Sequence, residues 1–482
     1  MKSPIDVIVL LGTSTPSQIV NTVKELDLSA LSIVILDKPF GLSERRTMCE
    51  TYHTRTSQQN PFILIDQALC LYLALHQKEE RLPLLLMSTL PFTTYQPFVR
   101  DGGSTSDEMF CGRITELRSI MDKNGASVVY GGRQLGKTAL LERAAKRCNV
   151  PEQKLFAVYI SIYDCDSEEK FVKKAVKEIN KKSFDSINIR ETCTSIEVLC
   201  DEIEKLFNSE KVHELKLFID EADKFLNSIA NGNYEKLQPL IDLRRNTTNN
   251  FKFVLAGLHN VCRAQKATEN NGVFGQLGQP LCVKPLSPKD AIELISKPLR
   301  YLGFQIDRFP HLETILTTTN YYPGILQFFG YTLVETLTSN YKSYYQAENN
   351  PPFPLQKEQL ASVINSTDLN ESIKEKFKLS LKLDPRYFML ARCIAYRYHY
   401  ENNNNRWMGY SIDEIKEVAD SYPIHCLEGL TKIEYKNLLN EMVEMGILSP
   451  ENDSYRLRKA SFIDVIGRDW DKVDEEILSD NG

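Results

Sequence analysis

The strand-like run Val128-Val129-Tyr130 is followed by Gly131-Gly132-Arg133-Gln134-Leu135-Gly136-Lys137-Thr138, and a helical pattern continues from Ala139. This is the spacing G-x-x-x-x-G-K-[ST], and each residue type in it has a chemical reason. Glycines let the backbone turn so that the N–H groups of Gly131 through Gly136 converge into a nest for phosphate oxygens. The helix beyond adds the unpaired N–H groups of its first turn, at Lys137, Thr138 and Ala139, and the positive end of its dipole. Lys137 has the reach for β- and γ-phosphates, and Thr138 offers a hydroxyl to Mg²⁺.

A second run, Leu215-Lys216-Leu217-Phe218-Ile219, ends in Asp220-Glu221. Asp220 at a strand end suits Mg²⁺ held through water, and Glu221 suits a general base that polarises the attacking water. Neighbours on a strand face opposite ways, so the two acids are expected to divide these roles. Asp223 reads as a helix-start carboxylate. A third run, Phe253–Ala256, leads into Gly257-Leu258-His259-Asn260 and on to Arg263. His259 or Asn260 could touch the γ-phosphate, and Arg263 could counter transition-state charge in cis or across an interface. Equally, Asn260 could cap a helix while Arg263 sits in a surface ion pair. A glutamate beside the metal aspartate favours hydrolysis by water. The guanine-reading N-K-x-D is missing, since Asn180-Lys181-Lys182-Ser183 lacks the aspartate. ATP with Mg²⁺ is therefore the expected pair, and the expected activity is ATP hydrolysis.

The elements that must position these residues follow from periodicity. Residues 110–287 alternate strands with helices, which implies a parallel sheet covered on both faces. Residues 1–100 show a smaller α/β alternation, with strands expected at Ile5–Leu11, Ile33–Leu36, Phe62–Ile65 and Leu84–Met87. Asp66, at the end of one of these strands, reads as a helix cap in preference to a remnant nucleotide ligand. A polar Gly/Ser stretch over 95–109 links the two. From Pro288 to about 380 the pattern is helical, without strands. Residues 387–470 run helix (Ile412–Ala419), helix (Lys432–Met445), strand, turn, strand, the order of a winged helix-turn-helix, with an exposed loop expected at Glu401–Arg406.

Several of these segments resemble one family. Phe110-Cys111-Gly112-Arg113-Ile114-Thr115-Glu116-Leu117 looks like the F-x-G-R-x-x-E-L box of the STAND and initiator-type AAA+ ATPases. The loop before Thr138 is similar to the G-x-R-x-x-G-K-T variant of STAND and archaeal-type ATPases. Leu286-Ser287-Pro288-Lys289-Asp290-Ala291 is similar to the opening of their helical lid, and Tyr322-Pro323-Gly324 to their lid proline motif. The resemblance covers roughly residues 110–470 and implies an α/β P-loop NTPase core, a helical lid over 288–380 and a C-terminal winged helix; the small N-terminal α/β lobe over 1–100 lies outside it and has no assigned role. The resemblance also implies that Phe110, Gly112 and Arg113 pack beside the adenine, and that Pro323 reaches base or phosphates. Two departures stand out: no glycine precedes Pro323, and Phe274–Pro280 holds no arginine at the place of a ring finger.

Composition excludes several classes. The 482 residues carry 58 Lys/Arg against 64 Asp/Glu, a net charge of −6, so no global basic balance holds DNA or an anionic membrane. Apolar runs fall short of the roughly 20 residues a membrane span needs. The 11 cysteines are scattered singly, without zinc spacing, as in a reduced cytoplasmic protein. Residues 387–482 hold 11 Lys/Arg and 18 Asp/Glu, which favours a protein-facing or nucleotide-sensing winged helix over a DNA reader. The favoured function is a nucleotide-driven regulatory switch with a protein partner or self-association. A DNA-associated initiator or transposition helper is the alternative, and a nucleotide-binding scaffold with little turnover is the second. The chain starts on a strand and stops after the winged helix, as a module of a longer protein would.

Overall fold

Strand–helix alternation is realised twice, in two units of the chain. The computed structural model describes residues 5–12, 14–26, 32–54, 62–92, 95–100, 106–182, 187–258, 261, 272–339, 350–400, 409–422, 424–458 and 466. The loop expected at Glu401–Arg406 lies outside them. One unit comprises residues 1–101, 287–321 and 325–370, and the other 102–286, 322–324 and 371–482.

The first unit opens with a three-stranded parallel sheet, β1 (Val7–Leu10), β2 (Ser32–Leu36) and β3 (Phe62–Ile65), in that order. Helices α1 (Pro16–Glu25) and α2 (Leu42–Thr54) cross over between the strands. Thr15 and Gln18 form the capping box that starts α1. Ile19, Val20 and Val23 of α1 pack with Val34, Leu36, Phe62 and Leu64 of the sheet. Asp66, 2% exposed, caps α3 (Gln67–Ala74) through Leu69 N–H at 2.8 Å, accepts Phe40 N–H at 2.7 Å and pairs with Arg45 at 3.3 Å. Its oxygens are committed to structure, in line with the cap reading.

The strand expected at Leu84–Met87 is instead the middle of a helix, α4 (Lys78–Thr89). Gln77 and Glu80 form its capping box, and Glu79 and Glu80 meet the dipole of its first turn. The apolar run is all leucine and methionine, good helix formers without β-branching, so the capped start decides its state.

The second unit holds α5 (Ile114–Met121), β4 (Val128–Tyr130), α6 (Lys137–Cys148), β5 (Leu155–Ser161), α7 (Glu168–Lys182), α8 (Ile196–Asn208), β6 (Glu214–Asp220), α9 (Asp223–Ile229), α10 (Gln238–Asn246), β7 (Phe251–Gly257) and β8 (Leu281–Cys282). The five strands are all parallel, in the order β5-β6-β7-β4-β8. The phosphate-loop strand β4 and the acid-bearing strand β6 are thus not neighbours, because β7 stands between them. Every residue of β6 and β7 is buried, as the run-on apolar sequence of central parallel strands requires. Two lysines share that burial. Lys216 and Lys252 sit opposite each other in register, and burial pushes the Lys252 ammonium down to about 7.

Further along lie α11 (Pro288–Tyr301), β9 (Phe304–Gln305), α12 (Phe309–Thr319), α13 (Pro323–Ser339), β10 (Phe353–Pro354), α14 (Lys357–Ile364) and α15 (Thr367–Leu381). The strand-free expectation fails here, since β9 and β10 form a two-residue parallel pair. Pairs that short leave no period in a sequence. The second unit ends with α16 (Pro385–Tyr400), β11 (Tyr410–Ser411), α17 (Ile412–Ser421), α18 (Lys432–Glu444), β12 (Leu448–Glu451) and β13 (Ser454–Leu457). The antiparallel sheet β11-β13-β12 packs with α16, α17 and α18 around Tyr387, Tyr435, Leu439 and Met442. Capping boxes at Ser411/Glu414 and Thr431/Glu434 start α17 and α18. No described helix is long and apolar enough to cross a membrane. Among the described residues no cysteine is in a disulfide.

Asp66→Ala leaves the 8%-exposed Arg45 without its counter-charge and two backbone N–H groups without an acceptor. Denaturant unfolding should show a loss of about 3–5 kcal/mol, the usual cost of breaking a buried pair. Asp66→Asn, which still accepts Leu69 N–H, should lose less.

Candidate phosphate-binding site

Gly131 through Thr138 join the end of β4 to the start of α6. Gly131 has φ +154, and a Cβ there would lie 2.5 Å from the Val283 carbonyl oxygen, so only glycine fits. Gln134 takes a left-handed φ of 64, and Leu135, fully buried, anchors the loop in the apolar core beneath it. The loop's carbonyls are satisfied from outside. Lys137 Nζ donates to Gly131 O and Gly132 O, both at 2.9 Å. Gly324 N–H donates to Gln134 O at 3.2 Å, Arg113 to Leu135 O at 3.2 Å, and Leu140 N–H to Gly136 O at 3.0 Å. Among the described residues no hydrogen bond uses the N–H of Gly132, Arg133, Gln134, Leu135 or Gly136. Those donors remain free for an anion, and the start of α6, with Thr138 and Ala139 in its first turn, adds its dipole.

The two sequence motifs meet. Thr138 Oγ1 donates to Asp220 Oδ2 at 2.7 Å. Asp220 is 1% exposed, and its Oδ1 accepts Glu221 N–H at 2.9 Å. Burial drives the Lys137 ammonium below its ordinary value, opposed by the charge of Asp220. A hydroxyl and a carboxylate at contact distance are hard oxygen donors suited to Mg²⁺, which keeps most of its waters and takes the rest from phosphates. Among the described residues no group of three His, Cys, Asp or Glu is placed to hold a metal ion.

Glu221 departs from the alternation expected for it. β6 ends at Asp220, and Glu221 stands beyond it with a left-handed φ of 57. The turn, not strand pleating, separates the two acids. The Glu221 carboxylate accepts from Ser161 Oγ of β5 at 2.8 Å. Asp223 begins α9 and accepts Leu258 N–H at 2.8 Å, tying that helix to the end of β7. Burial raises its carboxyl pKa, opposed by that N–H and by Lys137.

The remaining candidates divide. Arg113 has a left-handed φ of 59 at the start of α5, and its guanidinium is spent on Glu116 (3.0 Å), Leu135 O and Lys284 O. Gly112 precedes it, also with positive φ. Phe110 lies under the Arg143 guanidinium, 5.6 Å from ring centroid to Cζ. Arg113 thus braces the phosphate loop. Arg133 is exposed on the loop. Pro323 faces Gly136, and Gly324 bonds Gln134, so the lid proline motif abuts the loop. His259, Asn260 and Arg263 lie outside the described residues.

Three neighbours of the site went unnoticed in the sequence, Tyr159, Ser161 and the turn at Met445-Gly446, and Tyr322 was read only as part of the lid proline motif. The Tyr322 hydroxyl donates to Met445 O, and that carbonyl faces Gly132 of the phosphate loop. Gly446 has φ +74 and leaves no room for a Cβ beside the Tyr322 hydroxyl. Only the Tyr-Pro-Gly motif could have signalled any of these, and it pointed to its proline.

No protein-family model matches the sequence. No curated protein matches it either. Solved structures do. The Walker-type ATPase PABY2304 of Pyrococcus abyssi is similar to this chain with a TM-score of 0.53 and 18% identity, over 76% of this chain and 98% of its own. The ORC2 protein of Aeropyrum pernix, solved as ADPNP–ADP complexes, matches with a TM-score of 0.47 and 15% identity, over 76% and 91%. The ORC1 protein of the same organism in complex with DNA matches at 0.34 and 13%, over 77% and 93%. The first of these shows the fold, an α/β core with a parallel sheet of the P-loop NTPase type; the other two superpose too loosely to add to it.

Gly131→Ala forces a methyl group against the Val283 carbonyl. The expected outcome is lost binding of a fluorescent ATP analogue and a lowered melting temperature. Gly232→Ala, at a position with open space, should change neither.

Proposed function

We propose that this chain is a Mg²⁺-dependent ATPase that works as a nucleotide-driven switch. The observation that carries the proposal is the contact of Thr138 with Asp220 beneath a loop whose N–H groups, from Gly132 to Gly136, bond to nothing among the described residues. The loop N–H groups and Lys137 bind the phosphates, and Lys137 leaves the Gly131 and Gly132 carbonyls to do so. Thr138 and Asp220 hold the metal, which supplies neutralisation of charge on the phosphate oxygens when bound. Glu221 orients a water and takes its proton at the carboxylate, which first parts from Ser161. Arg263 is proposed to meet the charge that develops on the phosphates, and His259 or Asn260 to sense the γ-phosphate. Adenine is proposed to lie by Phe110 and Gly112.

The switch half of the proposal rests on Tyr322 and Met445. The C-terminal helix–helix–hairpin, which we take as a winged helix, places a backbone carbonyl against Gly132, so a filled phosphate loop and this turn compete for one neighbourhood. Residues 288–380 are proposed as the lid. The expected partner is a protein or a second copy. Residues 387–482, with 18 acids to 11 bases, disfavour duplex DNA.

ATP turnover should be abolished by Lys137→Ala and by Glu221→Gln, and should not respond to duplex DNA. A several-fold rise with DNA would promote the initiator-like alternative. A Glu221→Gln rate equal to wild type would leave a scaffold that only binds nucleotide. Tyr322→Phe removes one hydrogen bond from the winged-helix turn. If that contact restrains the site, basal turnover should rise about fivefold, the equivalent of the ~1 kcal/mol such a bond is worth.

A further inference from the structure

β5 is the edge strand next to β6, and it presents two polar side chains two residues apart, which a strand places on one face. In register, Ser161 pairs with Asp220 and Tyr159 with Phe218. Each hydroxyl serves a different acid. Ser161 donates to Glu221 at 2.8 Å, and Tyr159 donates to Asp220 Oδ2 at 3.2 Å. That same oxygen accepts from Thr138 at 2.7 Å, while Oδ1 accepts Glu221 N–H.

We propose that Tyr159 is a positioning residue that sets the magnesium affinity of the nucleotide site by holding the Asp220 carboxylate turned toward Thr138. The proposal rests on the assignment of Asp220 and Thr138 to the metal.

The carboxylate could rotate about its last torsion, and three donors oppose this. The Thr138 hydroxyl belongs to the loop that must rearrange around phosphate and metal. The Glu221 N–H sits in a left-handed turn whose side chain is itself mobile in the catalytic cycle proposed above. Tyr159 is independent of both. Its ring packs partly buried against the apolar cluster built from α5, α6 and the sheet, so its hydroxyl is held in place without the nucleotide. A donor of this kind keeps the carboxylate aimed when the site is empty, and magnesium then meets an oxygen already in position. Partners that orient a metal-holding carboxylate are worth large factors in metal affinity.

The competing explanation is ring packing alone, with the hydroxyl incidental. Tyr159→Phe separates the two, since it keeps the ring and removes only the oxygen. The probe is a fluorescent ATP analogue bound to the full chain, titrated with Mg²⁺ and measured again in excess chelator. Wild type, Tyr159→Phe, Asp220→Asn and Lys137→Ala are compared. Tyr159→Phe should raise the half-saturating Mg²⁺ concentration about tenfold, while metal-free nucleotide affinity and melting temperature stay at wild-type values. Asp220→Asn should raise it further, and the Tyr159→Phe change should add nothing on top of it. An unchanged magnesium requirement in Tyr159→Phe overturns the proposal. So does a loss of nucleotide affinity that is the same with and without metal, which is the signature of a packing role. Failure of the nucleotide-site assignment itself looks different, because Lys137→Ala would then bind the analogue as wild type does.

Discussion

The buried Asp220 carboxylate is the constraint on which the rest of the site depends. At 1% exposure its oxygens are cut off from water, and hydrogen bonds from the protein must replace the ones lost. Three elements meet that demand: α6 through Thr138, β5 through Tyr159, and the turn after β6 through the Glu221 N–H. The strand order makes this possible. With β7 between β4 and β6, the loop leaves β4, and α6 then passes back over the sheet toward β5 and β6, where its first turn meets Asp220. A sheet in which β4 and β6 were neighbours would bring the loop and the acid together differently.

What the sequence made legible was local. Spacing at Gly131–Thr138, the apolar run ending at Asp220-Glu221 and the helical periods over Ile412–Ala419 and Lys432–Met445 all concern residues close in the chain, and their elements stand where spacing placed them. Tyr159 and Ser161 are different. Within Leu155–Ser161 they read as two polar residues in a strand, and only the register with β6 gives them acids to hold. Tyr322 and Met445 are further apart still, and nothing in either stretch announces the other. The failure at Leu84–Met87 has another cause. Leucine runs serve helix and strand alike, so the decision fell to the cap at Gln77 and Glu80, outside the run.

Arg113 serves the phosphate loop as a brace. The F-x-G-R-x-x-E-L segment lies beside the phosphate loop, and the guanidinium bonds Glu116 and two backbone carbonyls. Its left-handed φ of 59 and the positive φ of Gly112 turn the chain sharply enough to aim the side chain at the loop. An arginine suits this better than a lysine, because a planar fork can serve several acceptors at once.

That bracing matters because an anion nest is a problem of orientation. A loop can offer its N–H groups inward only if its carbonyls turn outward, and outward carbonyls in a buried setting need donors of their own. Here the donors come from separate parts of the chain: Lys137 for Gly131 and Gly132, Gly324 for Gln134, Arg113 for Leu135, and Leu140 for Gly136. Of these, Arg113 and Leu140 belong to helix starts. Lys137 stands apart, since its ammonium is wanted by a phosphate. Releasing the Gly131 and Gly132 carbonyls is a cost of binding, recovered only by a ligand that carries more negative charge than two carbonyl oxygens. Under the proposed function, the Gly132 end of the loop is the part whose hydrogen bonding changes with occupancy. It is also the part that the Met445 carbonyl faces. The loop and the C-terminal turn are in direct contact there, and Tyr322 ties that turn to the segment that bonds Gln134.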